Sequence, residues 1–368
     1  MFAKGRITTT GDVFRDEKSL AFDGSNDYVE LGGTFSYNVH SISAWVKPKA
    51  ILGSSTIFDY RDANNDGILV TLADGDVVYQ IDNTDGHYNS VLTLNQWWHI
   101  VATNDGSTST IYVNGVSVET ADTSGETINV SSSAIPRIGA RSHTSADNYF
   151  NGNISEVAIY NSALTINQVK TIYNGREPYN HKEGVASGNL QAWYRMGDGV
   201  IDDYALIGDE TNTTLGSNLI TSFTNGSTYA FDTFSTSDNN ISSAIETSGN
   251  WAGAASNSLN LTDGEIYKCT FDLTYNSGDD TLRVLLVNSA NGAATSVVDV
   301  VYYTNTNGSN VFYFKVKTTD STSHLQLGTW HSSDVINFSA TNIKLKKVNG
   351  NAGYMTNMEA IDIEGDTP

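Results

Sequence analysis

Residues 21–33 read "AFDGSNDYVELGG", and the reading of this stretch decides the fold. An apolar strand runs into an Asp-Gly turn at Asp23 and Gly24. The chain leaves through Tyr28, Val29, Glu30 and Leu31, which alternate polar with apolar, and ends in two glycines. That is strand chemistry, and it repeats downstream. "SISAWVKPKA", "STIFDY", "GILVTLA", "VVYQID", "WWHIVATND", "STIYVNGVSV", "PRIGAR" and "GNISEVAIYN" follow at short intervals, separated by Gly, Asn and Asp connectors. Asn114-Gly115 between two alternating runs predicts a two-residue type I′ hairpin. One segment breaks the rhythm: "SALTINQVKTIYNG" puts Leu164, Val169, Ile172 and Tyr173 on one helical face, with Thr165 as cap and Gly175 as stop.

Composition agrees with an all-β reading. The chain has 368 residues, enough for two or three domains, and is 39% hydrophobic with abundant aromatics. Charged residues make up 17% and proline only 4 positions. The formal net charge of −21 repels a phosphate backbone, so nucleic acid is not an expected partner. No run reaches transmembrane length, so no membrane insertion is expected, and the opening residues lack the apolar core of an ordinary signal peptide. The single cysteine, Cys269, allows neither an intramolecular disulfide nor a thiolate cluster. It lies in the alternating run "IYKCTFDL" and is expected as a small buried hydrophobe.

The ordered motifs "SLAFDGSNDYVEL", "SISAWVKP", "WWHIVATNDGSTSTIYVNGV", "PRIGAR" and "FNGNISEVAIYNSALTINQVKTIYNG" resemble the laminin-G-like, concanavalin A-like jelly-roll family over residues 19–175. The resemblance implies two packed antiparallel sheets and roles in glycan, protein or surface recognition. Residues 189–212, with "WYRMGDG" and an Asp-rich loop, and the ending "GNAGYMTNMEAIDIEGDTP" together resemble a segment that follows this jelly roll in bacteriophage virion proteins. The intervening residues carry their own strands and look like a carbohydrate-binding-module jelly roll inserted between the two parts.

The expected organisation is an all-β chain of two antiparallel β-sandwich (jelly-roll) domains. Residues 1–18 form an amino-terminal arm, a candidate anchor, and 19–180 the laminin-G-like jelly roll. Residues 181–215 are a connector, 216–348 the inserted jelly roll, and 349–368 a carboxyl-terminal tail.

Catalytic signatures fail. A glycoside hydrolase needs two placed carboxylates, and Glu156 in "ISEVAIY" has no second acid two or four residues on. No H-E-x-x-H, G-x-S-x-G or phosphate loop occurs. No enzyme is expected. Metal ligation has two candidates. "DANNDG" sets Asp62, Asn64 and Asp66 at alternate positions before Gly67, the first half of a calcium loop, with Ala73 where the closing acid belongs. Family members often bind calcium near the entry turn; the resemblance points to Asp23 and Asp27, with Ser155 in "GNISEV" replacing the family's acid. The alternative for "DANNDG" is a polar hairpin tip.

Sugar recognition needs exposed aromatic faces beside polar side chains. In the first lobe the candidates are Tyr60, Arg61, His87, Tyr88, Arg141, His143, Asn148 and Tyr149, from three loops that meet if they share one edge. In the second they are Trp251, Tyr302, Tyr303, Trp330 and His331, weighed against core packing. Trp45, Trp97 and Trp193 lie in apolar runs and are expected in the core. Arg137 and Arg141 are expected to pair with local carboxylates.

The functional expectation is a non-enzymatic phage fibre or capsid decoration on the virion surface, assembled in the host cytoplasm. It binds cell-surface glycans and other virion proteins, as a homo-oligomer or in many copies, with calcium as the one cofactor considered. The alternatives are a purely structural decoration protein and the binding portion of a polysaccharide-degrading enzyme.

Overall fold

The computed structural model describes residues 14–51, 53–82, 84–88, 92–142, 145–199, 201–203, 205–278, 281–288, 297–298, 301–329 and 335–368; the side chains of 85, 87, 88, 320 and 321 are outside the description. The chain divides into two compact units. One comprises the described residues up to Thr213 together with Gly350–Pro368; the other is Thr214–Asn349. No helix among the described residues is long and apolar enough to cross a membrane.

The first unit is a sandwich of two sheets, each of eight strands among the described residues. The first sheet runs from Val116–Asp122 through Thr108–Val113, Trp98–Asn104, His40–Ala50, Asn151–Tyr160 and Ser19–Asp23 to Ile363–Glu364, and Leu190–Tyr194 pairs the far half of Asn151–Tyr160. The second runs from Leu206–Ile207 through Gly353–Thr356, Tyr28–Leu31, Arg137–Ile138, Ser54–Arg61, Gly67–Ala73 and Asp76–Ile81 to Thr84–Tyr88. The opening stretch is therefore not a hairpin. Ser19–Asp23 pairs within the first sheet and Tyr28–Leu31 within the second, so the Asp23–Gly24 turn carries the chain from one sheet to the other. Asp23 Oδ1 accepts from the amides of Ser25 and Asn26, and Asp27 Oδ2 from that of Asp23, which fixes the corner.

Alternation places Phe22, Val29, Leu31, Phe58, Tyr79 and Phe150 between the sheets, all buried. Burying each such side chain contributes about 1.5–3 kcal/mol. The outer face of the first sheet is covered as well. The helix Ile166–Tyr173, capped by Thr165 with Gln168 reciprocating, lays Val169 and Ile172 against Val101, Ala158 and Trp193. It ends at Asn174, in the left-handed region at φ 48°, one residue before the expected Gly175. Val113 faces Val116 across Asn114 (φ 49°) and Gly115 (φ 77°), the two positive φ values of a type I′ turn.

The second unit is another antiparallel sandwich. One sheet runs Thr233–Ser237, Asn240–Glu246, Ile336–Asn349, Ile266–Gly278, Gly308–Lys315, with Thr214–Asn218 beside Ile336–Asn349. The other runs Phe223–Asn225, Gly253–Ser256, Asp320–Gly328, Leu282–Val287, Tyr302–Thr304, with Leu259–Leu261 beside Asp320–Gly328. Between them lies a separate core including Phe231, Phe271, Phe314, Leu325, Phe338 and the fully buried Cys269. Thr214 pairs with Asn349, so the insert enters and leaves on adjacent strands.

Candidate functional site

The most open aromatic surface lies on the second unit. Gly253, Gly328, Arg283 and Tyr303 occupy one row across four neighbouring strands. The adjacent row, Ala254, Leu327, Val284 and Tyr302, packs into the core. Neighbouring rows point to opposite faces, so the first row faces outward. The two glycines form a covered floor: both are buried, and the Gln326 side chain lies over Gly253. At Gly328 a methyl group would sit 2.2 Å from the Ala252 carbonyl oxygen, so the close approach of the strands itself requires glycine there. Trp251, 41% exposed, and Tyr229 flank this floor with ring centroids 5.5 Å apart. Tyr303 is 47% exposed on the other flank. A cavity of about 510 Å³ opens between Thr228, Tyr229, Ala230, Asn250 and Trp251. Tyr229 and Trp251 also line a narrower recess with Arg283, Gln326 and Thr329.

Local hydrogen bonds hold the platform. The buried Glu246 carboxylate accepts from the Ser248 amide (2.9 Å), the Ser248 hydroxyl (2.6 Å) and the Asn250 amide (3.2 Å), which sets the turn before Trp251. Asn225 brackets Phe231, and the Gly253 amide donates to the Tyr229 carbonyl, pinning that loop to the floor strand. Burial draws Arg283 below the usual guanidinium range, with Tyr303 opposing. The arrangement offers ring faces for C–H contacts and amide, hydroxyl and guanidinium groups for hydroxyls, in fixed positions.

Tyr302 is a correction. It lies in the inward row, stacks on Phe312 at 4.6 Å and donates to the Tyr313 carbonyl. Its neighbour Tyr303 is the one that faces out. Trp330 and His331 lie outside the described residues. Tyr229, Arg283 and Gln326 carried no sequence signal, because only the pairing of their strands brings them to Trp251.

In the first unit several candidates are structural. Tyr60 is buried against Phe35 in the core. Arg61 is buried in a bidentate pair with Asp59 (3.0 and 2.9 Å) and donates to Gln80 (2.6 Å). Neither can present a face to a sugar. Arg141 pairs with Asp147 and Arg137 with Glu30. Tyr149 is half-buried, donates to the Ala146 carbonyl and packs on Tyr28, and burial raises its hydroxyl pKa. Asn148 takes φ 49° and its carbonyl accepts from the Thr56 amide. The Arg61 amide to Ser142 hydroxyl bond (3.0 Å) joins two of the three loops. In the third, His87 pairs in register with Val78 and Tyr88 with Val77, but their side chains, and all of His143, lie outside the described residues. Trp45 and Trp193 are buried; Trp97 is only half-buried and donates to Asp366, because it sits at a strand entrance.

"DANNDG" forms a stapled loop. Asp62 Oδ1 accepts from the amides of Asn64 and Asp66, and Oδ2 from that of Ser131, so its oxygens already serve the backbone and fit a calcium loop poorly. A cavity of about 490 Å³ lies beside it, lined by Asp62, Asn64, Ser131, Ser133, Ile135 and Arg137 among others. Asp27 is different: burial, with repulsion from Asp23 and Asp362, pushes it up to about 6. The corner thus brings two carboxylates together, each with one oxygen already accepting a backbone amide. Among the described residues no group of three or more His, Cys, Asp or Glu side chains is placed to hold a metal ion.

No curated protein matches the chain. Among solved structures, a Bacteroides ovatus protein described as carbohydrate binding is 21% identical with a TM-score of 0.45, over 54% of this chain and 56% of that one. The chain thus spans little more than half the length of that relative. A heptameric pentraxin from Limulus polyphemus is 18% identical (TM-score 0.39; 44% of this chain, 83% of that one). A Ruminococcus gnavus sialidase module bound to α2,3-sialyllactose is 13% identical (TM-score 0.37; 44% and 99%). A family model matches residues 23–170, and this part of the first sandwich accordingly has the fold of the concanavalin A-like lectin/glucanases superfamily.

Proposed function

We propose that this chain is a non-enzymatic glycan-binding protein whose principal contact is the Trp251–Tyr229 groove. The observation that carries the reading is an exposed tryptophan held beside a tyrosine over a glycine floor, with Arg283, Gln326 and Tyr303 at its margin. Large exposed apolar rings in a soluble chain mark recognition surfaces. The cavity beside Asn64 and Arg137 is proposed as a second contact on the lectin-like fold. Glu156 supports the non-catalytic reading: it is 1% exposed and receives the Trp193 indole N–H.

The finer assignment is attachment to host glycans from a virion surface, in many copies, since weak sugar sites gain from multivalency. Its support is the resemblance of residues 189–212 and 350–368 to phage virion proteins, together with their joint packing here. Tyr194 donates to the Asn351 carbonyl, Asn351 to Asp209, and Leu206 pairs with Tyr354. Calcium is proposed at Asp23 and Asp27.

The test is binding of the full chain to bacterial surface polysaccharides on coated beads. Loss of an anchoring tryptophan costs about 2 kcal/mol, about 30-fold in affinity. Trp251→Ala is expected to lose that much while Asn64→Ala loses less. Absence of binding at bead valency overturns the reading in favour of a structural decoration protein. Undiminished binding by Trp251→Ala overturns the assignment of the groove.

A further inference from the structure

The segment just before the entry strand is held by more acid than base. Phe14 packs on Trp193 (centroids 5.6 Å apart), with the Arg195 guanidinium 4.6 Å from the Phe14 centroid. Arg195 also donates to the carbonyls of Arg15 and Asp198 and to Glu156 Oε1 (3.4 Å). The amides of Glu17 and Lys18 donate to Asp198 Oδ2, the latter at 2.8 Å. Asp16 turns inward, 8% exposed; Ser155 donates to its Oδ2 at 3.0 Å, and its buried Oδ1 receives no hydrogen bond from an ordinary donor. Asp198 is the group facing it.

We propose that Asp16 docks in its protonated form with its orphaned oxygen against the Asp198 carboxylate, and that this proton latches Phe14–Lys18 onto the first unit and its loss releases the segment. Three carboxylates, Asp16, Glu156 and Asp198, surround one guanidinium. With all three ionised, buried negative charge is left unmatched, which is strongly unfavourable. A carboxylic acid donating to a carboxylate removes one charge and satisfies the orphaned oxygen. The other charges nearby do not alter the count. Arg15, Glu17 and Lys18 of the segment are exposed. In the adjoining carboxyl-terminal strand and tail, Glu364 pairs with Lys49 and Asp366 with Lys47. Burial, reinforced by Asp198 and opposed by Ser155 and Arg195, pushes Asp16 up to about 8. Glu156, buried beside Asp16, is likewise raised.

The sign follows from linkage. The docked state keeps a proton that the free segment gives up near 4. Docking is therefore complete at acid pH and weakens up to tenfold per pH unit until about pH 8.

The test is amide hydrogen exchange of Glu17 and Lys18 in the full chain, expressed as protection over an unstructured peptide at the same pH. Protection is expected to fall up to about 100-fold between pH 6 and 8, while core strands stay protected. Asp16→Asn, a permanent neutral donor, is expected to hold the segment with a flat profile. If it does not fold, Asp198→Asn gives the same flatness. A flat wild-type profile, or a variant profile that follows the wild type, overturns the latch.

Discussion

Arg61 separates a structural from a recognition role most sharply. Its guanidinium is 5% exposed and grips an Asp59 carboxylate that is 0% exposed. Ser142 donates its amide to the same carboxylate, and Gln80 accepts from the guanidinium at 2.6 Å. Arg61→Ala leaves Asp59 as a buried charge without its counter-ion, and breaking such a pair costs about 3–5 kcal/mol. For a unit of this size each kcal/mol lowers Tm by about 2–4 °C, so the first unit's transition is expected to fall by about 6–20 °C. The assay is calorimetry of the full chain. The cores are separate, and the transition of the second unit is expected to stay in place. The double substitution Asp59→Leu with Arg61→Met removes both charges and is expected to recover most of the loss. Glycan binding through the groove is expected to be unchanged below the transition. A Tm drop under 2 °C, or weakened binding at unchanged stability, refutes the argument and returns Arg61 to the list of ligand contacts.

Two further outcomes are expected. His99 is buried, with Ser43 on its Nε2, and burial pushes it down to about 3. The unfolded chain binds that proton below about 6.5, so stability is lost as pH falls; His99→Gln is expected to lose about 2 kcal/mol less than wild type between pH 7 and 5, read by urea titration at both values. Calcium is expected to raise the first unit's Tm at pH 7.5, less so below pH 6 where Asp27 takes up its proton, and not at all in Asp27→Asn; a chelator-insensitive Tm rejects the site.

The sequence is legible where local chemistry decides. Asn114-Gly115 demands positive φ at two successive residues, and Thr165 with Gln168 writes its own cap. Strand alternation likewise marks Cys269 as buried. What stays hidden depends on pairing between distant segments. The Asp23–Gly24 turn joins strands of different sheets, and nothing local in the sequence says so. Tyr302 and Tyr303 are adjacent and alike, and only register across Val284 and Arg283 tells which one faces out. Tyr60 and Arg61 look like loop residues beside "DANNDG", yet their strand runs through Arg61 and buries both. The polar composition of that stretch reflects a buried ion pair.

The most direct test of the account is a crystal structure of the full chain soaked with the oligosaccharide that binds best in the bead assay. The account predicts a sugar ring stacked on the Trp251 indole, with Tyr229 beside it and hydroxyls within hydrogen-bond distance of Gln326 or Arg283. Density only in the cavity beside Asn64 and Arg137, with the groove empty, contradicts it.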